Sequence, residues 1–238
     1  MVDTTTSPAV RDRLALALDT DDLVGALRMA RDLEAWFGVA KVGLELFSAT
    51  GPEVVSALTE RGWKVFLDLK LHDIPTTVGK AAHVIGALGA TYLTLHADGG
   101  VDMVRAGVEG LIEGASGAGL EPPGAIAVTV LTSDDTAQAH VLGKRIAIAV
   151  EAGCHGIVCA AADVHEAKQL APRLMAVVPG IRLPGSPRHD QARAATPETA
   201  ISEGADLLVV GRTVTAADDR YAAAAAVAAA VEAAIAAG

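Results

Sequence analysis

The chain has 238 residues, of which 51% are hydrophobic and only 3% aromatic, and its formal net charge is -10. This length can bury one large core, and the acidic balance excludes nucleic-acid binding by bulk electrostatics. The two cysteines, Cys154 and Cys159, exclude a disulfide framework and lack a CxxC spacing, so we expect small buried thiols.

The chain begins with a polar extension, residues 1–12, and apolar runs that resemble strands follow it. The apolar run 14–18 is too short for a signal or membrane segment. In all, eight such runs occur, at residues 14–18, 39–44, 65–69, 92–95, 125–130, 156–159, 174–178 and 207–210. Helical periodicity fills segments between them, as at 22–36, 52–61, 77–88 and 101–117.

This alternation predicts a parallel sheet, and eight repeats in one chain favour a closed (β/α)8 TIM barrel over an open doubly wound sheet. No linker or composition break divides residues 1–238, so we expect a single domain. Functional side chains of such a barrel lie at the carboxyl ends of its strands. Most of the predicted strands here do end in polar residues.

The third strand carries the most informative pair. Asp68 and Lys70 are two residues apart and share one face of the strand, whereas Leu67, Leu69 and Leu71 point the other way. Placing an acid and a base side by side on a buried strand is costly, so the pair indicates a site more than a source of stability.

Two further charges extend this pair. Lys41 lies in the otherwise apolar second strand, where it either snorkels to solvent or, as we favour, joins a network with Asp68 and Lys70. Asp73 follows in the loop after the third strand. Alternating Lys41, Asp68, Lys70 and Asp73 would be formally neutral and could therefore tolerate burial.

The last two strands suggest an anion site. Gly211 and Arg212 follow strand eight, where barrels frequently bind phosphate, although a surface arginine beside a turn is the simpler alternative. The long loop after strand seven includes Arg182 and Gln191, which offer hydrogen-bond donors. That loop either closes over a ligand or is merely flexible.

Metal chemistry finds less support in the sequence. His72-Asp73 and His96-Ala97-Asp98 invite a metal site, but no third and fourth ligand follows at a suitable spacing. The glycine-rich segment 114–119 precedes a strand rather than following one, so it is not a dinucleotide fingerprint.

The Ala-rich tail after Tyr221 is nearly long enough to span a bilayer. However, Val227, Val231 and Ile235 form one helical stripe, which predicts a packed terminal helix. We therefore expect a cytoplasmic protein with neither a membrane nor a nucleic acid as partner.

The run Asp68-Leu69-Lys70-Leu71-His72-Asp73-Ile74-Pro75-Thr76-Thr77 closely resembles the signature of bacterial orotidine 5'-phosphate decarboxylases. The resemblance extends along nearly the whole chain. The segments that carry it, in the family's order, are Leu16-Ala17-Leu18-Asp19, Lys41-Val42-Gly43, His96-Ala97, Val128-Thr129-Val130-Leu131-Thr132-Ser133, Pro179-Gly180-Ile181-Arg182, Asp190-Gln191 and Val210-Gly211-Arg212. Two departures are Asp98, where a small residue is expected, and the proline-rich loop 183–189.

The resemblance implies a homodimeric barrel that converts orotidine 5'-phosphate to uridine 5'-phosphate without cofactor or metal. It implies catalytic roles for Lys70, Asp68, Asp73 and Lys41, with Lys70 as the proton donor to carbon 6. The substrate contacts it implies are Asp19 and Lys41 at the ribose, Thr132 at the pyrimidine, and Arg182, Gln191, Gly211 and Arg212 at the ring and phosphate. Asp73 and Thr77 would serve the site of the partner subunit.

Two rival hypotheses remain. A sugar-phosphate decarboxylase or aldolase on the same barrel would share the short Asp-x-Lys-x-x-Asp motif but would depend on a divalent metal. A catalytically silent phosphate-binding barrel would bind ligand without turnover.

Overall fold

We describe the fold from a computed structural model, which places residues 6–130, 139–184 and 193–237. Eight parallel strands close into a barrel in sequential order, which confirms the predicted architecture. The strands are β1 Leu14–Ala17, β2 Val39–Gly43, β3 Lys64–Leu71, β4 Tyr92–His96, β5 Gly124–Val128, β6 Gly156–Val158, β7 Met175–Val178 and β8 Leu207–Val210. Pairing of Leu14, Ala15 and Leu16 with Leu208, Val209 and Val210 closes the barrel.

Helices surround this barrel. In the described ranges they are α1 Pro8–Arg11, α2 Leu23–Leu33, α3 Leu44–Thr50, α4 Glu53–Thr59, α5 Pro75–Gly86, α6 Gly100–Ala118, α7 Ala139–Glu151, α8 Ala161–Leu170, α9 Pro197–Ser202, α10 Arg212–Thr215 and α11 Arg220–Ala237. A short 3-10 helix, Ala97–Gly99, follows β4. Val10 of α1 is buried in the core, so part of the predicted N-terminal extension packs onto the barrel.

The hydrophobic core has two layers because alternate residues of each strand face opposite ways. The larger layer lies between strands and helices and includes Leu67 and Leu69 of β3. A smaller cluster fills the barrel interior and includes Phe66. Asp68 and Lys70 continue the spacing of Phe66, so they belong to the inward-facing side of β3.

The ladder between β3 and β4 is irregular just below the site. Its register shifts between Leu67 and Leu71. Within this break, Lys70 adopts a φ of 50°, the only positive φ of a non-glycine residue in the described part of the chain. A left-handed conformation costs an L-residue about 1–2 kcal/mol, so surrounding contacts must stabilise it.

Helices α5 and α6 touch backbone to backbone through glycines. A Cβ built on Gly110 would lie 2.3 Å from the carbonyl oxygen of Gly79, and one on Gly114 would lie 1.9 Å from that of His83. Such distances are shorter than any real Cβ contact. The two helices therefore pack at a separation that only glycine permits.

The terminal helix α11 is the one described helix that is long and apolar enough to cross a membrane by length and composition. Its residues Val227 and Val231 are fully buried against the barrel, as the stripe predicted. Ile235 was predicted on the same stripe but is 38% exposed, because the packing of α11 covers the stripe only as far as Val231.

Candidate active site

Strands β1, β2 and β3 deliver four charged side chains to the carboxyl end of the barrel. Asp19 follows β1 by two residues, Lys41 lies on β2, and Asp68 and Lys70 lie on β3. Pairing of Gly43 with Asp68 and of Ala17 with Lys41 brings these positions to the same level of the barrel.

The four side chains form a continuous series of ion pairs, which we call the charge chain. Lys70 Nζ lies 2.8 Å from Asp68 Oδ1. Lys41 Nζ lies 3.9 Å from Asp68 Oδ2 and 2.9 Å from Asp19 Oδ1. The order Lys70–Asp68–Lys41–Asp19 alternates in sign and is formally neutral, which offsets part of the cost of desolvating each charge.

Burial differs along the charge chain. The side chain of Lys41 is only 9% exposed, whereas that of Lys70 is 35% exposed. Lys41 therefore acts as a fixed internal cation between two carboxylates. Lys70 presents its ammonium at the open end of the charge chain, where a ligand in the mouth of the barrel can reach it.

Gly43 provides the space that Lys41 needs. A Cβ at this position would lie 3.0 Å from Lys41 Nζ and 3.5 Å from Asp19 Oδ1. A side chain here would therefore require Lys41 Nζ to shift by a few tenths of an ångström. Gly43 ends the segment Lys41-Val42-Gly43, and its closeness to the lysine two residues earlier follows from the pleat of β2.

Thr94 of β4 is a site residue that sequence reasoning missed. It is fully buried. The Lys70 backbone N–H donates a 2.7 Å hydrogen bond to its Oγ1, and its hydroxyl donates to Asp68 Oδ1 at 3.1 Å. A buried hydrogen bond contributes about 0.5–1.5 kcal/mol, which is comparable to the cost of the left-handed Lys70 backbone.

Asp73 and Thr77 lie outside the charge chain. Both residues are exposed, and the Asp73 carboxylate accepts a 2.7 Å hydrogen bond from the N–H of Ile74. No ion pair involves Asp73 among the described residues, so Asp19 rather than Asp73 is the second carboxylate of the charge chain within one subunit. The place of Asp73 in a partner's site stays a prediction.

The carboxyl end of β8 adjoins the charge chain. A Cβ built on Gly211 would lie 3.8 Å from Asp19 Oδ2, an ordinary van der Waals contact, so Gly211 borders the charge chain. Arg182 is 8% exposed and donates to the carbonyl oxygen of Ile181 at 2.8 Å. Arg212 is exposed at the start of α10. The predicted contacts Thr132 and Gln191 lie outside the described residues.

Two histidines stack beside the site. The rings of His72 and His96 are 5.1 Å apart at an interplanar angle of 23°. Burial, followed by the nearby charges of His72 and Arg145, lowers the pKa of His96. Its Nδ1 accepts a hydrogen bond from the N–H of Asp98 at 3.4 Å, which requires that nitrogen to be unprotonated.

The unexpected Asp98 has a partner. Its Oδ1 lies 2.7 Å from Arg145 Nη2 on α7, and this pairing lowers the pKa of the Asp98 carboxyl. Arg145 also donates to the carbonyl oxygen of Thr129 after β5. The departure at Asp98 thus adds a bridge between the ends of β4 and β5 and leaves the charge chain untouched.

The histidines and carboxylates do not converge on a metal-binding arrangement in the ranges described. Among those residues, no three His, Cys, Asp or Glu side chains form a group that could hold a metal ion. Cys154 and Cys159 are free and buried, as predicted, and burial raises the pKa of each thiol to about 12.

Comparison with known proteins gives a consistent result. The model of the orotidine 5'-phosphate decarboxylase / HUMPS family matches residues 12–227. The orotidine 5'-phosphate decarboxylase of Anaeromyxobacter sp. (strain K) is 45% identical over 229 residues, which cover 92% of this chain and 97% of that protein. The enzyme of the same name from Paramagnetospirillum magneticum is 42% identical, covering 86% of this chain and 92% of the relative.

Solved structures agree with the sequence relatives. The crystal structure of orotidine 5'-phosphate decarboxylase from Lactobacillus acidophilus superposes with a TM-score of 0.78 at 34% identity, covering 92% of this chain and 99% of that one. An uncharacterized conserved protein from Geobacillus kaustophilus superposes with a TM-score of 0.77 at 33% identity, with the same coverage of both chains. The likeness therefore includes the whole barrel.

Proposed function

The chain belongs to the orotidine 5'-phosphate decarboxylase / HUMPS family, and from this membership we propose that it converts orotidine 5'-phosphate to uridine 5'-phosphate and carbon dioxide. The reaction belongs to pyrimidine biosynthesis and would need neither a metal nor an organic cofactor. The observation that carries the proposal is the charge chain, which presents Lys70 at the open mouth of the barrel beside the carboxylate of Asp68.

The chemistry requires a cation at one defined carbon. Breaking the bond between carbon 6 and the carboxylate releases carbon dioxide and leaves the electron pair on carbon 6, with no adjacent group to delocalise it. The Lys70 ammonium would stabilise this carbanion and then transfer its proton to carbon 6. The ion pair with Asp68 and the backbone contact with Thr94 hold Lys70 for that role.

Asp68 would act on the substrate before the bond breaks. A carboxylate held against Lys70 would also lie close to the carboxylate of the bound substrate, and the repulsion between them would be relieved as carbon dioxide leaves. Binding energy from the rest of the substrate must offset this repulsion, since it raises the free energy of the bound substrate.

We assign the ribose, phosphate and pyrimidine contacts of the substrate to residues around the barrel mouth. Asp19 and Lys41 would hold the ribose hydroxyls, which suits a carboxylate that is half-exposed and a lysine fixed beside it. Gly211, Arg212 and Arg182 lie at the ends of β8 and β7 and would bind the phosphate end together with Gln191. Thr132 would contact the pyrimidine. Orotidine without its phosphate should therefore react far more slowly than a single lost contact would explain.

We propose that the active form is a cytoplasmic homodimer. The carboxylate of Asp73 and the hydroxyl of Thr77 are exposed in the single chain, and Ile74 between them is 65% exposed. A second subunit would cover this surface and receive Asp73 and Thr77 into its own site. In a symmetric dimer the same contact is made twice.

Mixing two inactive variants tests this sharing of sites. Lys70→Ala and Asp73→Ala chains refolded together should form hybrid dimers with one intact site. Random pairing makes half of the dimers hybrid, so about a quarter of the parental activity should return. Mixtures that stay as inactive as either variant alone would contradict the assignment of Asp73 to the partner.

The proposed reaction itself is tested by following the loss of ultraviolet absorbance of orotidine 5'-phosphate in the presence of a chelator. Turnover should persist, and Lys70→Ala should abolish it. Turnover of a sugar phosphate that disappears with the chelator would instead identify the metal-dependent alternative on the same barrel. Binding without turnover of either substrate would identify the silent phosphate-binding barrel.

A further inference from the structure

We propose that Thr94 is a positioning residue for the decarboxylation: its side chain holds Lys70 in the left-handed backbone conformation and orients the carboxylate of Asp68 at the same time. The inference rests on the proposed function for its catalytic consequence. Its structural content, the conformation of Lys70, can be measured separately.

One hydroxyl makes both contacts. Thr94 Oγ1 accepts from the Lys70 backbone N–H at 2.7 Å and donates its only proton to Asp68 Oδ1 at 3.1 Å. Asp68 Oδ1 also accepts from Lys70 Nζ at 2.8 Å. Backbone, hydroxyl, carboxylate and ammonium therefore close a ring, and moving any one of them moves the others.

The interrupted pairing of β3 with β4 explains why a side chain, rather than the strand backbone, accepts the hydrogen bond of the Lys70 N–H. The register of β3 against β4 shifts between Leu67 and Leu71, so the regular strand pairing is interrupted where Lys70 lies. The hydroxyl of Thr94, which is fully buried, gives the Lys70 N–H a partner in a partly buried position. Without it, this donor would lose its partner in a partly buried position, which favours a different backbone conformation at Lys70.

The required chemistry predicts which substitutions are tolerated. Serine keeps an oxygen that both accepts and donates. Valine keeps the branched shape of threonine but can do neither. Thr129 provides the matched control, because it is also fully buried and its hydroxyl donates to the carbonyl oxygen of Val158 at 2.7 Å, with no bond to the charge chain.

The experiment compares Thr94→Val, Thr94→Ser and Thr129→Val by steady-state kinetics with orotidine 5'-phosphate, by chemical unfolding, and by crystal structures of the parent and Thr94→Val. We expect Thr94→Val to lower kcat by about tenfold to a hundredfold, as displacement of a reacting group does, while KM changes by less than about threefold. Thr94→Ser should retain most of kcat, and Thr129→Val should lose stability but not kcat. In the Thr94→Val crystal, φ of Lys70 should leave the positive region.

Three outcomes would overturn the inference. One is a Thr94→Val enzyme whose kcat equals that of the parent. Another is a Thr129→Val enzyme that loses as much kcat as Thr94→Val, which would show a general effect of losing a buried hydroxyl. The last is a Lys70 φ that stays positive in the Thr94→Val crystal. If the parent has no decarboxylase activity, the proposed function fails, and φ of Lys70 alone decides the role of Thr94.

Discussion

Replacing Asp68 with asparagine should separate its charge from its shape. The amide side chain would keep an oxygen that can accept from Thr94 and Lys70, but it would no longer repel the substrate carboxylate. In the proposed reaction Lys70 Nζ, which lies 2.8 Å from Asp68 Oδ1, also reaches carbon 6, so the substrate carboxylate would come close to Asp68. At an effective dielectric of ~20, two charges about 4 Å apart repel by roughly 4 kcal/mol.

If relief of this repulsion lowers the barrier, D68N should lose about 10³-fold in kcat, because each 1.4 kcal/mol corresponds to tenfold. KM should not rise, since the ground state loses a repulsive interaction rather than a binding contact. The assay is steady-state decarboxylation followed by ultraviolet absorbance. A variant that keeps kcat within about tenfold of the parent would refute the electrostatic reasoning.

Asp206→Asn is the matched control for the loss of a lysine-paired carboxylate. Asp206 precedes β8 at the opposite end of the barrel, where its Oδ2 lies 2.6 Å from Lys168 Nζ and accepts from the N–H of Ala176 at 2.7 Å. D206N should lower the free energy of unfolding and leave kcat unchanged. An equal loss of kcat in both variants would show that the fall in D68N reflects a loosened fold.

Two further predictions concern stability. Gly114→Ala should lower the free energy of unfolding by about 3 kcal/mol or more, because the added Cβ would lie 1.9 Å from the His83 carbonyl oxygen. Gly117→Ala on the same helix is the control, because a Cβ there meets no atom within 4 Å. This variant should be neutral or stabilising by up to ~1 kcal/mol. Equal effects in urea unfolding would contradict the glycine contact. Burial lowers the pKa of His96 in the folded protein from its usual value of 6.5. As the pH falls, the imidazole is therefore protonated in the unfolded chain before it is protonated in the folded protein. The stability that depends on neutral His96 is complete above pH 6.5 and is lost as the pH falls below it. His96→Asn should therefore flatten that part of the pH–stability curve, and an unchanged slope would disprove the linkage.

The barrel could be predicted from the sequence because parallel strands that are buried on both faces have nearly continuous apolar sequences of strand length. The pair Asp68 and Lys70 could be placed on one face because the strand period is two. Lys41 could be joined to them because charged residues rarely occupy a buried strand without a partner. These inferences use only local spacing and the general geometry of the fold.

What could not be predicted depends on how neighbouring strands and helices pair. The contact of Thr94 with Lys70 follows from a register shift that no sequence signal marks. The position of Asp73 outside the charge chain depends on where the loop after β3 leaves the barrel. The closeness of α5 and α6 depends on which glycines face each other, and isolated glycines in a helical pattern do not specify that.

The neutrality of the charge chain has a consequence for how fast the substrate arrives. The whole protein carries a formal charge of -10, and the Lys70–Asp68–Lys41–Asp19 series adds no net positive potential at the barrel mouth. The net charge would therefore repel the proposed substrate, which carries both a carboxylate and a phosphate, until it reaches the cations assigned to its phosphate end, Arg182 and Arg212. Added salt screens charges beyond about 10 Å at 0.1 M, so association should quicken with ionic strength, opposite to the behaviour of enzymes that attract their substrates electrostatically.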